Sequence, residues 1–247
     1  MFQRFWDKQF PQVMHNKLSK ELTGRLIKQC KDNHLTVNSF LTMVFIYCQQ
    51  TLLPKLAYSN DYTISVNLRE YLKKHPGQKV GYFVSAIRLK FKYNFNKPFW
   101  ENTKRFQAKF KSKFKLKSLF GSQIMGLFNP KFVDALFMNK HNQRNDKSIR
   151  SFLKKKKLDR VNSAFTITNL GVADIQTTGT NFELTGIIPP FIQSDTMEKY
   201  ISIATFKGEL SIAISYNHEI IQQNYIEKFA NRSKDLIEEF VNYKSSN

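Results

Sequence analysis

Residues 200–216, YISIATFKGELSIAISY, are the stretch of the sequence that decides the fold. Two runs, 200–206 and 209–216, are rich in β-branched and aromatic residues that alternate with small or polar ones, and this two-residue period is that of a β-strand. Gly208 separates the runs, where a tight turn favours glycine. The pattern predicts an antiparallel hairpin.

Four further segments have strand character. Residues 61–68 (DYTISVNL) and 80–91 (VGYFVSAIRLKF) alternate in the same way, and Pro76-Gly77 predicts a turn between them. Nearer the hairpin, we expect strands at 163–168 (SAFTIT) and at 184–192.

Helical periodicity occupies the remaining long segments. Apolar residues recur at three- and four-residue spacing over 18–32, with Ser19 as the predicted N-cap, and a nearly all-apolar stretch over 36–53 predicts a buried helix. Residues 97–120 and 222–243 have the amphipathic pattern of helices that pack on a core.

The order of these elements lacks a simple βαβ alternation. It predicts the α/β class, as a two-layer sandwich with a mixed β-sheet backed by helices. Residues 1–17 are interpreted as an N-terminal lead-in and 18–247 as the domain, with a charged loop at 139–160.

Composition bounds the class of protein. The 247 residues are 41% apolar, enough for a substantial core. The apolar stretches 40–47 and 184–192 are too short to cross a bilayer, and residues 1–10 lack the apolar region of a secretory signal. Cys30 and Cys48 form neither a disulfide framework nor a metal set. We therefore expect a cytoplasmic protein without a metal site.

A net charge of +20 raises the question of a polyanionic partner. Lysines far outnumber arginines, which disfavours nucleic acid because groove reading and bidentate phosphate contacts favour arginine. The helix 97–120 carries lysines around an aromatic stripe, and the run 154–157 is KKKK. Peripheral contact with an anionic membrane is one explanation of this pattern. A helix that packs its aromatic face on a sheet and exposes its lysines is the other.

Five segments, in this order, resemble parts of a known superfamily. They are 18–50, then 65–71 (SVNLREY) and 80–85 (VGYFVS), then 162–171 (NSAFTITNLG) and 210–240. The set resembles the C-terminal half of the CoA-dependent acyltransferases, which include condensation domains, alcohol acetyltransferases and chloramphenicol acetyltransferases. The resemblance covers roughly residues 18–243.

This resemblance implies a chloramphenicol acetyltransferase-like half and a parent reaction. The reaction transfers an acyl group from a CoA or carrier-protein thioester to an alcohol or amine acceptor, without a metal or redox cofactor. It also implies a separate or missing N-terminal half that carries the catalytic motif H-x-x-x-D-G. A non-catalytic pseudoenzyme or interaction module, and a protein that binds polyanions or membrane surfaces, are the alternatives.

The resemblance also assigns residues to a substrate tunnel. These are Asn67, Arg69, Ser163, Asn169 and Gly171. Local roles explain the same residues: Asn67 can cap a turn, Arg69 can pair with an acidic neighbour, and Asn169 with Gly171 can make the turn after a strand.

None of the five histidines lies in the catalytic motif, whose histidine is a general base. His218 comes nearest because it ends a predicted strand and precedes a helix, but Gln222 and Gln223 occupy the aspartate and glycine positions. His218 is therefore a weak catalytic candidate. We expect it at a strand end, far from any carboxylate, and we expect an exposed apolar patch on the face that a second half would cover.

Overall fold

A six-stranded mixed sheet forms one layer of the structure, a computed structural model that describes residues 12–52, 59–77, 79, 81–115, 119–120, 128–175, 183–192, 196–218 and 220–242. The strands are β1 Gln12–Leu18, β2 Asp61–Asn67, β3 Val84–Lys90, β4 Ser163–Val172, β5 Met197–Phe206 and β6 Glu209–Tyr216. Their order across the sheet is β1-β6-β5-β4-β2-β3. The pairs β2–β4 and β4–β5 are parallel, and the other three pairs are antiparallel.

Helices form the second layer and the connections. They are α1 Lys20–Asp32, α2 Val37–Leu52, α3 Phe99–Ser112, α4 Pro130–Lys140, α5 Lys147–Lys156 and α6 Gln223–Asn242, with one 3₁₀ turn at Arg69–Tyr71. The predicted α/β sandwich with a mixed sheet is confirmed. No described helix combines the length and the apolar content that a bilayer span requires.

The hairpin that the sequence predicts is present between β5 and β6. Lys207 and Gly208 both have positive φ, 48° and 84°, which is the type I′ turn that matches the twist of paired strands. The predicted cap of α1 is also present, since the Ser19 side chain accepts a hydrogen bond from the Leu22 N–H.

The core lies between the sheet and helices α2 and α6. Phe45 on α2 contacts Phe165 on β4, edge to face with ring centroids 6.3 Å apart, and stacks on Phe229 of α6 at 5.9 Å. All three side chains are fully buried. Alternate residues of each strand therefore face the helices.

The other face of the sheet is lined by small hydroxyl residues. Strand alternation and the register place seven of them there: Thr63, Ser65, Thr166, Thr168, Ser202, Ser211 and Ser215. Residues 183–192 contribute to the cover of this face, because the Ser215 hydroxyl donates to the Ile192 carbonyl at 2.5 Å.

Three sequence expectations differ from the structure. Residues 184–192 are not a strand, and Pro189-Pro190 gives the reason: two successive residues have no N–H to donate to a ladder. The expected charged loop at 139–160 contains α5, because the Asp146 carboxylate caps its first turn by accepting from the Ser148 and Ile149 N–H groups. The lead-in 1–17 contains β1, an edge strand paired with β6, although residues 1–11 lie outside the described residues.

The basic helix α3 buries its aromatic face and exposes its lysines, but it packs on helices α2 and α6 rather than on the sheet, with Phe99 against Phe40 and Phe240. Phe99 and Phe106 are buried, and Phe110 and the following Phe114 pack against the core. The lysines around this stripe are exposed: Lys104, Lys109, Lys111, Lys113 and Lys115. Core packing therefore accounts for the aromatic stripe.

Candidate functional site

A cleft opens where two parallel strands, β2 and β4, end side by side. Because the strands are parallel, their carboxyl ends meet at the same edge of the sheet. The cleft has a volume of about 220 Å³, and ten residues line it: Ser65, Asn67, Arg69, Gly81, Tyr82, Phe83, Val84, Thr168, Asn169 and Leu170. We call it the strand-end cleft. Three of the five residues assigned to a tunnel, Asn67, Arg69 and Asn169, line it.

Asn67 and Arg69 form a turn at the end of β2. The Asn67 Oδ1 accepts the Arg69 N–H at 3.0 Å. The Arg69 guanidinium donates to the Lys79 carbonyl at 3.2 Å and lies 4.6 Å from the centre of the Phe83 ring. Its described partners are thus a carbonyl and an aromatic ring, and the acidic neighbour considered from the sequence is not among them. These contacts hold the guanidinium at the cleft, and no other described residue accepts from its remaining N–H groups.

Asn169 and Gly171 form a matching turn on β4. The Asn169 Oδ1 accepts the Gly171 N–H at 2.9 Å, and Gly171 has a positive φ of 73°. The pairing of β4 with β5 shifts register between Asn169 and Val172. Gly171 itself is not a lining residue of the cleft. At this irregularity Leu170 and Val172 are exposed, at 56% and 74%, and Tyr82, which lines the cleft with Leu170, is 69% exposed.

Ser163 lies at the other end of β4. Six residues at about 3.3 Å each separate it from Asn169, which places it roughly 20 Å away. Its buried hydroxyl donates to the carbonyl oxygens of Phe165 and Asp61, at 3.0 and 3.3 Å. The structure does not bring Ser163 to the strand-end cleft.

Tyr200 is a residue that sequence reasoning did not single out. It lies on the hydroxyl-lined face, near the Thr168 and Ser65 side chains, which line the cleft. Burial raises the pKa of Tyr200, the Thr168 and Ser65 hydroxyls oppose this rise, and the nearby Tyr82 adds to it. The phenol therefore stays protonated at neutral pH. One feature of the sequence indicated this position: in the two-residue alternation of the strand, Tyr200 faces away from the side on which Ile201 and Ile203 contact the core.

His218 follows β6 at the other end of the sheet, where the parallel strands begin. Since β6 runs antiparallel to β5, its last residue, Tyr216, is paired with Lys199 near the start of β5, whereas the cleft lies at the carboxyl ends of β2 and β4. His218 is exposed, and among the described residues no carboxylate bonds to its ring. The structure thus places His218 at a strand end, as expected, and apart from the cleft.

A sequence model of the alcohol acetyltransferase family matches residues 9–241 of the chain. The chain belongs to this family. No curated protein sequence matches it.

Solved structures show that this alcohol acetyltransferase family member has the condensation-domain fold. The epimerization domain from the third module of tyrocidine synthetase B superposes with a TM-score of 0.63 at 12% identity, over 94% of this chain and 48% of that one. The EpoB cyclization-docking bidomain from Sorangium cellulosum gives 0.63 at 12% identity, over 96% and 43%. Polyketide synthase associated protein 5 from Mycobacterium tuberculosis gives 0.57 at 15% identity, over 95% and 54%.

The alcohol acetyltransferase family member spans about half the length of these structures. It covers 43% to 54% of the three. The resemblance to the CoA-dependent acyltransferases is confirmed at the level of family and fold. The tunnel roles of individual residues stay predictions.

Proposed function

We propose that the chain is the substrate-binding lobe of an alcohol acetyltransferase-type acyltransferase. In this proposal the strand-end cleft binds the amide-containing arm of an acyl-CoA or carrier-protein thioester. The acyl group passes to an alcohol or amine acceptor, and a second lobe with an H-x-x-x-D-G motif supplies the general base.

One observation carries the proposal. Two segments far apart in the sequence, 65–71 and 162–171, place Asn67, Arg69 and Asn169 around the same small cleft. Both segments resemble superfamily motifs, and nothing in their local turn geometry requires them to meet. Amide and guanidinium groups that converge on one cleft suit a ligand with several carbonyl and N–H groups.

The volume of the cleft supports the need for a second surface. At about 220 Å³ it is smaller than the roughly 300–1,000 Å³ of enclosed small-molecule sites. The exposed Tyr82 and Leu170 stand at its rim. A second lobe on these side chains would close the open side and remove water from the thioester.

The position of His218 supports a base from elsewhere. A general base must lie within hydrogen-bond reach of the acceptor, or reach it through one water. His218 lies at the end of the sheet opposite the cleft. It is therefore out of hydrogen-bond reach of an acceptor bound in the cleft.

A thioester-cleavage assay tests the assignment of the base. The chain alone, with acetyl-CoA and a short-chain alcohol, should release CoA at the uncatalysed rate, and His218→Ala should not change it. Turnover by the chain that disappears in His218→Ala would overturn the assignment.

The non-catalytic interaction module remains the rival function. It predicts no turnover either, so the assay does not separate the two. Acetyl-CoA binding does, because an interaction module that has lost its substrate site should not bind acetyl-CoA through Arg69.

A further inference from the structure

A second and larger cleft lies on the helical side of the molecule. It has a volume of about 470 Å³ and is lined by Thr36, Ser39, Tyr71, Gln107, Phe110, Lys111 and Phe114. We call it the aromatic cleft. Its volume lies within the roughly 300–1,000 Å³ of small-molecule sites.

The two clefts are separate although their walls are close in sequence. Arg69 and Tyr71 belong to the same 3₁₀ turn, in which successive residues rotate by about 120°. Arg69 lines the strand-end cleft, whereas Tyr71 lines the aromatic cleft. Nothing assigned to the strand-end cleft uses the second cleft.

One wall of the aromatic cleft is a continuous set of rings. The rings of Tyr71 and Phe114 have centroids 5.1 Å apart, and those of Phe110 and Phe114 are 6.3 Å apart. Phe110 in turn stacks on the buried Phe106 at 6.4 Å, so the wall is anchored in the core. Tyr71 is 40% exposed, which leaves ring surface open to a ligand.

The polar part of the lining is held in place by hydrogen bonds. The Gln107 Oε1 accepts the Thr36 N–H at 2.9 Å, and its Nε2 donates to the His34 carbonyl at 3.0 Å. The Thr36 hydroxyl donates to the Ser39 Oγ at 2.8 Å and accepts the Ser39 N–H at 3.1 Å. Gln107 and the Thr36 hydroxyl are therefore engaged, and the cleft is formed without a ligand.

The polar groups of the lining that remain available are donors. The Ser39 hydroxyl proton remains available because its oxygen accepts from Thr36. Lys111 forms no ion pair with any carboxylate that the structure describes. A ligand that contacts both the rings and these donors must present a ring to the former and an acceptor, best a negative charge, to the latter.

We propose that the aromatic cleft binds a small aromatic anion, with its ring against Tyr71, Phe110 and Phe114 and its acidic group beside Lys111. The rings select a flat apolar body, and Lys111, the one lysine among the described lining residues, selects one charge. This site is independent of the proposed acyl-transfer function.

Two fluorescent dyes with the same rings separate the contribution of the negative charge to binding from that of the rings. The dye 1-anilinonaphthalene-8-sulfonate carries the negative charge, and N-phenyl-1-naphthylamine lacks it. We expect Lys111→Gln to lower the affinity for the sulfonate dye about tenfold, as for the loss of one charge-assisted hydrogen bond. The affinity for the neutral dye should not change. Lys109→Gln removes an exposed charge on the same helix outside the cleft and should change neither affinity.

The ring wall has its own variant. Tyr71→Ser should weaken both dyes, with circular dichroism and the thermal midpoint reporting that the fold is retained. The proposal is overturned by an unchanged affinity for the sulfonate dye in Lys111→Gln, by an equal loss in Lys109→Gln, or by unchanged affinities for both dyes in folded Tyr71→Ser.

Discussion

Asn67 and Asn169 form the same kind of turn near the carboxyl ends of two neighbouring parallel strands. Each side-chain oxygen accepts the backbone N–H two residues further on, from Arg69 at 3.0 Å and from Gly171 at 2.9 Å. Both turns contribute lining residues to the strand-end cleft. Local turn-forming roles and a place at the cleft are therefore not alternatives for these residues, since the turn is what builds the cleft.

These turns should be measurable in stability. Asn67→Ala and Asn169→Ala each remove one acceptor, and each should lower the free energy of unfolding by about 1 kcal/mol. Asn67→Asp and Asn169→Asp keep an oxygen that can accept the same N–H, and should retain most of that stability. Urea denaturation measures all four variants. Equal stability of the Ala and Asp variants at either position would show that the hydrogen bond contributes nothing.

Lys199 provides a second prediction because it is buried inside the core. Its Nζ donates to the Glu198 carboxylate, to the Gln49 Oε1 at 2.6 Å and to the Ala164 carbonyl at 3.3 Å, and lies 4.9 Å from the centre of the Phe229 ring. Burial lowers the pKa of Lys199, and Glu198 opposes this. Lys199→Met would leave the Glu198 carboxylate buried without its partner, at a cost of about 3–5 kcal/mol.

A paired variant separates the ion pair from simple packing. The double variant Glu198→Gln/Lys199→Met leaves no unpaired charge. Its free energy of unfolding, measured by chemical denaturation, should therefore regain most of what Lys199→Met loses. A double variant no more stable than Lys199→Met would contradict this account of the pair.

The two cysteines give a prediction about pH. Burial raises the pKa of both thiols, Cys30 and Cys48, from an ordinary value of 9.0 to about 12. Unfolded thiols lose their protons near their ordinary pKa while the folded ones keep them. These groups therefore remove stability as the pH rises from about 9 towards 12.

Thiol reactivity tests the same burial directly. Ellman's reagent should not react with the native protein at pH 8, and should titrate both thiols in guanidinium chloride. Rapid reaction of either thiol in the folded protein would place it nearer the surface than the structure does.

The sequence predicted the parts of the fold where one local signal dominates. The hairpin 200–216 has a clear two-residue period and a glycine turn, and the buried helix α2 is apolar over its whole length. β1 was not predicted because it is an edge strand without strong alternation, and its pairing partner, β6, lies almost 200 residues further along the chain. α5 was not predicted because its high charge is typical of a loop, and an aspartate such as Asp146 does not by itself predict a helix cap.

The site was predicted less completely than the fold. Asn67, Arg69 and Asn169 were found through resemblance, but only the parallel pairing of β2 and β4 brings them together. Tyr200 was missed because its contribution depends on the strand register that carries its phenol to Thr168 and Ser65. No local pattern encodes that register.

The most direct test of the proposed function is the affinity of the chain for acetyl-CoA, measured by isothermal titration calorimetry. Arg69→Ala should weaken binding about 10- to 100-fold, as expected for charge-assisted hydrogen bonds, whereas Arg25→Ala, an exposed position on α1, should not change it. Equal affinities of the Arg69→Ala variant and the unsubstituted protein would contradict the assignment of the strand-end cleft to the thioester arm.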